Sequence, residues 1–70
     1  MAKKFDVVGY IMAYESGEAT DSETLRLFAH LIKSGQVWAL QGHYGRTASA
    51  LIEDGFISRQ GELTEKALLY

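Results

Sequence analysis

The densest chemistry in this chain lies in Gln41-Gly42-His43-Tyr44-Gly45-Arg46-Thr47. An imidazole, a phenol and a guanidinium sit on or between two glycines, where a helix is expected to begin. Free backbone amides at a helix start, together with Arg46, can hold an anion. The same residues equally make a tight helix–helix turn, with glycine supplying backbone freedom and the arginine facing solvent. The spacing Gly42-x-x-Gly45 matches the glycine loop with which KH domains clamp a nucleic-acid backbone. A KH domain needs strands around its helix pair, and the strand before this one is missing, so the spacing alone carries little weight. Trp38, the only tryptophan, stands just upstream. Large aromatics dominate small cores, which makes a core role the simpler reading. Tryptophan is also enriched at binding hot spots, so an interface role is the alternative.

No other constellation suggests chemistry. His30 and His43 lie on different segments, without acidic residues at metal-ligand spacing. Ser16, Ser22, Ser34, Ser49 and Ser58 have no visible base and orienting acid. Glu15, Glu18 and Asp21 cluster at a turn and a helix start, where negative charge is favourable without any function. The expectation is therefore a protein that is not an enzyme and uses no cofactor or metal.

The elements that position these residues are marked by glycine, since the chain has no proline. A first helix is expected over about residues 6–16, with Asp6 as its cap, Phe5, Val8, Ile11 and Met12 on one face, and Gly17 as its stop. Gly9 inside it calls for a reason, and close approach of another helix is one. Thr20-Asp21-Ser22-Glu23 is a capping box. The helix it opens carries Leu25, Phe28, Leu31 and Ile32 as one apolar stripe and ends at Gly35. Residues 36–41 form a short segment that only tertiary packing can hold. After the glycine pair, a helix over about residues 44–54 places Tyr44, Ala48, Leu51 and Ile52 on one face. Residues 56–60 read as a short strand or extended piece, Gly61 as a turn, and Thr64 as the cap of a last helical turn or two.

The expected architecture is mostly α: a compact bundle of about four short helices, with a short extended or β appendage at the C-terminus. Residues 1–70 make one small helical domain, with residues 1–4 disordered and 56–70 as the appendage. The core should draw on Val8, Ile11, Leu25, Phe28, Leu31, Ile32, Trp38, Leu40, Ala48, Leu51 and Ile52.

Composition limits the classes further. Seventy residues with no cysteine exclude a disulfide framework and thiolate zinc sites. An apolar content of 47% supports a real core and argues against a disordered tail. Lys3 and Lys4 precede an apolar stretch, but it is short and soon followed by acids, so neither secretion nor membrane spanning is expected. The net charge of −2, with scattered basic residues, argues against a protein held to nucleic acid mainly by charge. Small size leaves room for a second chain to complete the core, so a homodimer is allowed.

Two resemblances follow. Residues 20–34, 46–54 and 56–64 can be laid out as first helix, recognition helix and wing of a winged helix-turn-helix. Leu51-Ile52-Glu53-Asp54-Gly55-Phe56-Ile57 is similar to the recognition-helix exit of many such regulators. The chemistry fits less well: Arg46, Thr47 and Ser49 are followed by Glu53 and Asp54, where specific readers add phosphate-neutralising cations. Residues 6–17, 23–35 and 36–48 together resemble a family of very small, uncharacterised tailed-bacteriophage proteins. The most specific part is Trp-x-Leu-Gln-Gly-x-Tyr-Gly-Arg-x-Ala, running here from Trp38 to Ala48. That resemblance implies phage origin and action in the bacterial host cytoplasm; it implies no reaction. The functional expectation is a phage accessory protein that binds and modulates a bacterial host protein through Trp38, Gln41, His43, Tyr44 and Arg46. The alternative is a small DNA-binding regulator.

Overall fold

The computed structural model describes residues 5–40 and 42–69. Helix α1 spans Val7–Ser16, α2 Asp21–Ser34, α3 Gly42–Glu53 and α4 Glu65–Leu68, with a 3-10 turn over Gln36–Trp38 between α2 and α3. The expected disorder of residues 1–4 lies outside the described residues.

Helix α2 is the centre. Its start is fixed by the capping box: the Glu23 amide donates to the Thr20 hydroxyl at 3.1 Å, and the Thr20 amide donates to the Glu23 carboxylate at 2.9 Å. Gly35, in the left-handed conformation at φ 79°, ends it. Between these caps Leu25, Leu27, Phe28, Ala29, Leu31 and Ile32 are all buried. The expected stripe is thus widened by Leu27 and Ala29, because neighbours cover α2 on more than one side. Val37, Tyr44, Ala48 and Ile57 complete the core from the turn, from α3 and from the segment after it. Among the described residues no polar or charged side chain is buried.

Helix α1 lies across α2 in a different rotation from the one expected. Val7, Tyr10, Ile11 and Tyr14 face the core, while Val8 and Met12 are 68% and 65% exposed. The aromatic bodies decide the register. Phe5 stacks on Tyr10 and on His30 at 4.5 and 4.6 Å between ring centroids, and the Tyr14 ring meets Phe28 edge-on at 5.3 Å. Two tyrosines cover more apolar surface than a valine and a methionine, and aromatic pairs add to that gain. Gly9 is explained locally rather than by an approaching helix. Its amide takes the Asp6 cap at 3.1 Å, and a Cβ there would collide with the Asp6 carboxylate.

The glycine pair does not interrupt the chain. Gly42 and Gly45 lie inside the first turn of α3, which starts two residues earlier than expected. Leu40 is 38% exposed and joins the core no more than Trp38 does.

The C-terminal segment corrects the expected β appendage. No strand occurs among the described residues; the segment makes a single antiparallel bridge, Ile57 with Leu63. The Ser58 amide donates to the Glu62 carbonyl at 2.8 Å, and the Thr64 amide donates to the Phe56 carbonyl at 3.0 Å. One bridge is all that so tight a turn allows, since the chain enters α4 directly after Thr64. Nor does the segment hang from the domain, because Ile57 is 1% exposed. Lys66 fastens α4 back by donating to the Asp54 carbonyl at 2.7 Å, with its ammonium over the Phe56 ring.

Gly61, at φ 90°, presses against α2, and a Cβ there would meet the backbone of Lys33 and Ala29. Gly17 has the same sign of φ but open space around it. Alanine at Gly17 should cost about 1–2 kcal/mol, the conformational penalty alone. Gly61→Ala adds a backbone collision and should unfold at a clearly lower denaturant midpoint. Equal midpoints in urea would show that the hairpin is not held against α2.

Candidate interaction face

The handling of Val37 and Trp38 by the 3-10 turn creates the site. Successive residues of a 3-10 turn point about 120° apart. Val37 enters the core with no exposed surface, which anchors the turn, and Trp38 is thereby directed outward, 57% exposed. The Gly35 conformation and the hydrogen bond from the Ala39 amide to the Gln36 carbonyl at 3.0 Å hold the turn in place. The indole lies along α3 at Gly45, where a Cβ would sit 3.7 Å from its six-membered ring. That is ordinary contact, so Gly45 gives the ring a flat seat without being sterically obligatory.

Helix α3 divides its residues between two faces. Tyr44 and Ala48 are buried, with Leu51 and Ile52 packed against the core. Gly42, Arg46, Ser49, Ala50 and Glu53 are exposed. At 3.6 residues per turn these five fall on one side of the helix. Trp38, Gly42, Gly45, Arg46, Ser49, Ala50 and Glu53 line one shallow depression, and Trp38, Ser49, Ile52, Glu53 and Arg59 line an adjoining one. Among the described residues the one ion pair is Lys33 with Glu62, at 3.9 Å between exposed side chains. Arg46, Glu53 and Arg59 are therefore charged groups on this face without an ion-pair partner among the described residues.

The five residues singled out from the sequence separate accordingly. Trp38 and Arg46 come together on the outward face. Tyr44 turns inward, 3% exposed, and its hydroxyl donates to the Glu15 carboxylate of α1 at 2.6 Å. His43 is half-buried and packs on the same side, its ring 4.2 Å from that of Tyr44 and 6.5 Å from that of Tyr14. Gln41 lies outside the described residues. Ser49, which the helix-turn-helix layout offers as a DNA contact, belongs to the face, as do Glu53 and Arg59, which neither reading of the sequence offers as contacts. The i, i+3, i+7 spacing of Arg46, Ser49 and Glu53 was the available signal; Arg59 had none, since the turn alone brings it alongside. Among the described residues no group of three His, Cys, Asp or Glu could hold a metal, and no helix is long and apolar enough to cross a membrane.

The Tyr44–Glu15 contact ties α3 to α1. Burial first, then the hydrogen bond and the negative charge of Glu15, push the Tyr44 phenol well above its ordinary value of 10.0. Its folded form thus holds the proton more tightly than the unfolded form. The associated stability is fully present below pH 10 and falls as pH rises beyond it. Tyr44→Phe should cost about 1 kcal/mol at neutral pH, a modest figure because Glu15 is exposed. The gap between the two proteins in urea melts should narrow above about pH 10. A gap that stays constant into the alkaline range would show that the phenol titrates alike in both states.

No curated protein matches the chain, and no solved structure matches it. Over residues 1–70 the sequence matches the family described as Domain of unknown function (DUF7417). The match spans the whole chain, so this small helical protein, with its outward-facing tryptophan, belongs to the DUF7417 family.

Proposed function

We propose that this is a phage-encoded accessory protein that binds a protein of the bacterial host and modulates or inhibits it in the host cytoplasm. Trp38 and Arg46 form the centre of its contact surface. The observation that carries this reading is the exposed Trp38, placed on a turn whose preceding residue, Val37, is locked in the core. Leaving an indole in water is unfavourable, and a pre-positioned aromatic loses little freedom on binding. Tryptophan and arginine are the residue types that most often dominate binding energy. The phage origin rests on the resemblance carried by the pattern from Trp38 to Ala48, and the cytoplasmic site of action follows from that origin. The binding role of Tyr44 is revised: its phenol faces α1, so its part is to hold α3 in place.

The test is a native pull-down of tagged protein from a bacterial lysate, with and without nuclease, followed by titration of any captured protein. Trp38→Ala and Arg46→Ala should each weaken binding about tenfold or more while leaving the fold intact. Full affinity in both variants would remove this face from the interaction.

The order of α2, turn, α3 and bridged hairpin favours a second reading, a winged helix-turn-helix that binds DNA. Arg46 and Ser49 face outward on α3, and Arg59 stands in the hairpin turn near Ser49. Glu53 at the far end of the same helix and Asp54 just after it would oppose phosphate. A mobility shift on phage promoter DNA at low salt, weakened by Arg46→Ala and Arg59→Ala, would favour this reading. No shift even at low salt would eliminate it.

A further inference from the structure

The outward face of α3 has the charge pattern of a surface that fits itself. Arg46 and Glu53 sit two helical turns apart, about 10.5 Å along the axis. They lie symmetrically about the Ser49–Ala50 peptide, and neither has an ion-pair partner within the described chain. A second α3 laid antiparallel across this one, with the twofold axis at Ser49–Ala50, sets each Arg46 against the partner's Glu53. Only the antiparallel arrangement does so; a parallel one in register opposes arginine with arginine. The residues at the crossing point are serine and alanine, so the two helices can approach closely there. Trp38, seated over Gly45 beside Ser49, then closes against the second helix instead of standing in water.

We propose that in the absence of a partner two copies of this chain pair through α3 as an antiparallel, twofold-symmetric dimer, held by reciprocal Arg46–Glu53 ion pairs and by burial of Trp38. A twofold interface uses the same patch on both subunits, and this patch is complementary to itself. The inference rests on the reading of the Trp38 face as a protein-docking surface, and it adds a consequence. Self-pairing covers the surface offered to a host protein, so host binding must compete with the dimer.

The experiment is sedimentation equilibrium of the full chain over a range of concentrations, read together with the emission of Trp38, the only tryptophan. The parent should pass from monomer to dimer, and its emission should shift to the blue over the same range. Arg46→Glu places four acids at the contact and Glu53→Arg four bases. Each alone should dimerise roughly tenfold or more weakly, since like charges directly opposed are strongly unfavourable. Mixing the two variants in equal amounts should restore association, because the two acids on one α3 then face the two bases on the other. Circular dichroism of both variants checks that these exposed substitutions leave the helices intact. A parent that stays monomeric throughout overturns the proposal. So does a mixture that associates no better than the separate variants, which would place any self-association on another face, such as that of Val8 and Met12. The two readings fail separately: capture of a host protein by a strictly monomeric chain removes the dimer alone, and charge-swap recovery without a host protein removes the host-binding function alone.

Discussion

Everything in this protein is arranged around the need to cover α2. A chain of this size has few ways to build a core, and here one helix is apolar around much of its circumference. Phe28, Leu27 and Leu31 are fully buried, and none of them could be so against a single neighbour. Helix α1 covers one side with tyrosines, the 3-10 turn and α3 cover another with Val37, Tyr44 and Ala48, and the hairpin supplies Ile57. Burial of each large side chain contributes about 1.5–3 kcal/mol. In so small a domain each of these coverings is therefore a large fraction of the total stability.

That arrangement has a direct cost at the surface. The chain must turn tightly between α2 and α3, and the turn spends one of its two large apolar residues on the core. The other, Trp38, is left outside because the turn geometry sends consecutive residues in different directions. Its exposure is a geometric consequence of anchoring Val37, and the same anchoring makes the indole a fixed feature of the surface. The glycine pair in α3 has a related part. Gly45 gives the indole a flat seat along the start of the helix, and a Cβ at Gly42 would instead meet the Arg46 guanidinium at 3.3 Å.

The surface of α3 differs from the rest in its charges. The ion pair Lys33–Glu62 and the Lys66 contacts bind the hairpin and α4 to the body of the domain. Arg46 and Glu53 form no ion pair among the described residues. They lie next to Trp38, which rests on α3 at Gly45 and is otherwise largely exposed.

The sequence determined the helices themselves. Asp6, the Thr20–Glu23 box and Thr64 fix where three of them start, and Gly17, Gly35 and Gly55 fix where three of them stop, because caps and left-handed glycines act over a few residues and need no distant partner. It also showed the polar and aromatic density around Trp38 and Arg46. Tertiary structure decided which faces turn inward. Helix α1 offered two apolar stripes of similar merit, and only the contact of Tyr14 with Phe28 and of Tyr10 with Phe5, itself stacked on His30, selected the tyrosines over Val8 and Met12. Tyr44 and Trp38 are both large aromatics in one short segment, yet one is sealed against Glu15 and the other left in solvent. Periodicity assigns residues to faces, but which face is covered depends on neighbours far away in the chain. For that reason Ile57, in a segment that reads as an appendage, became part of the core.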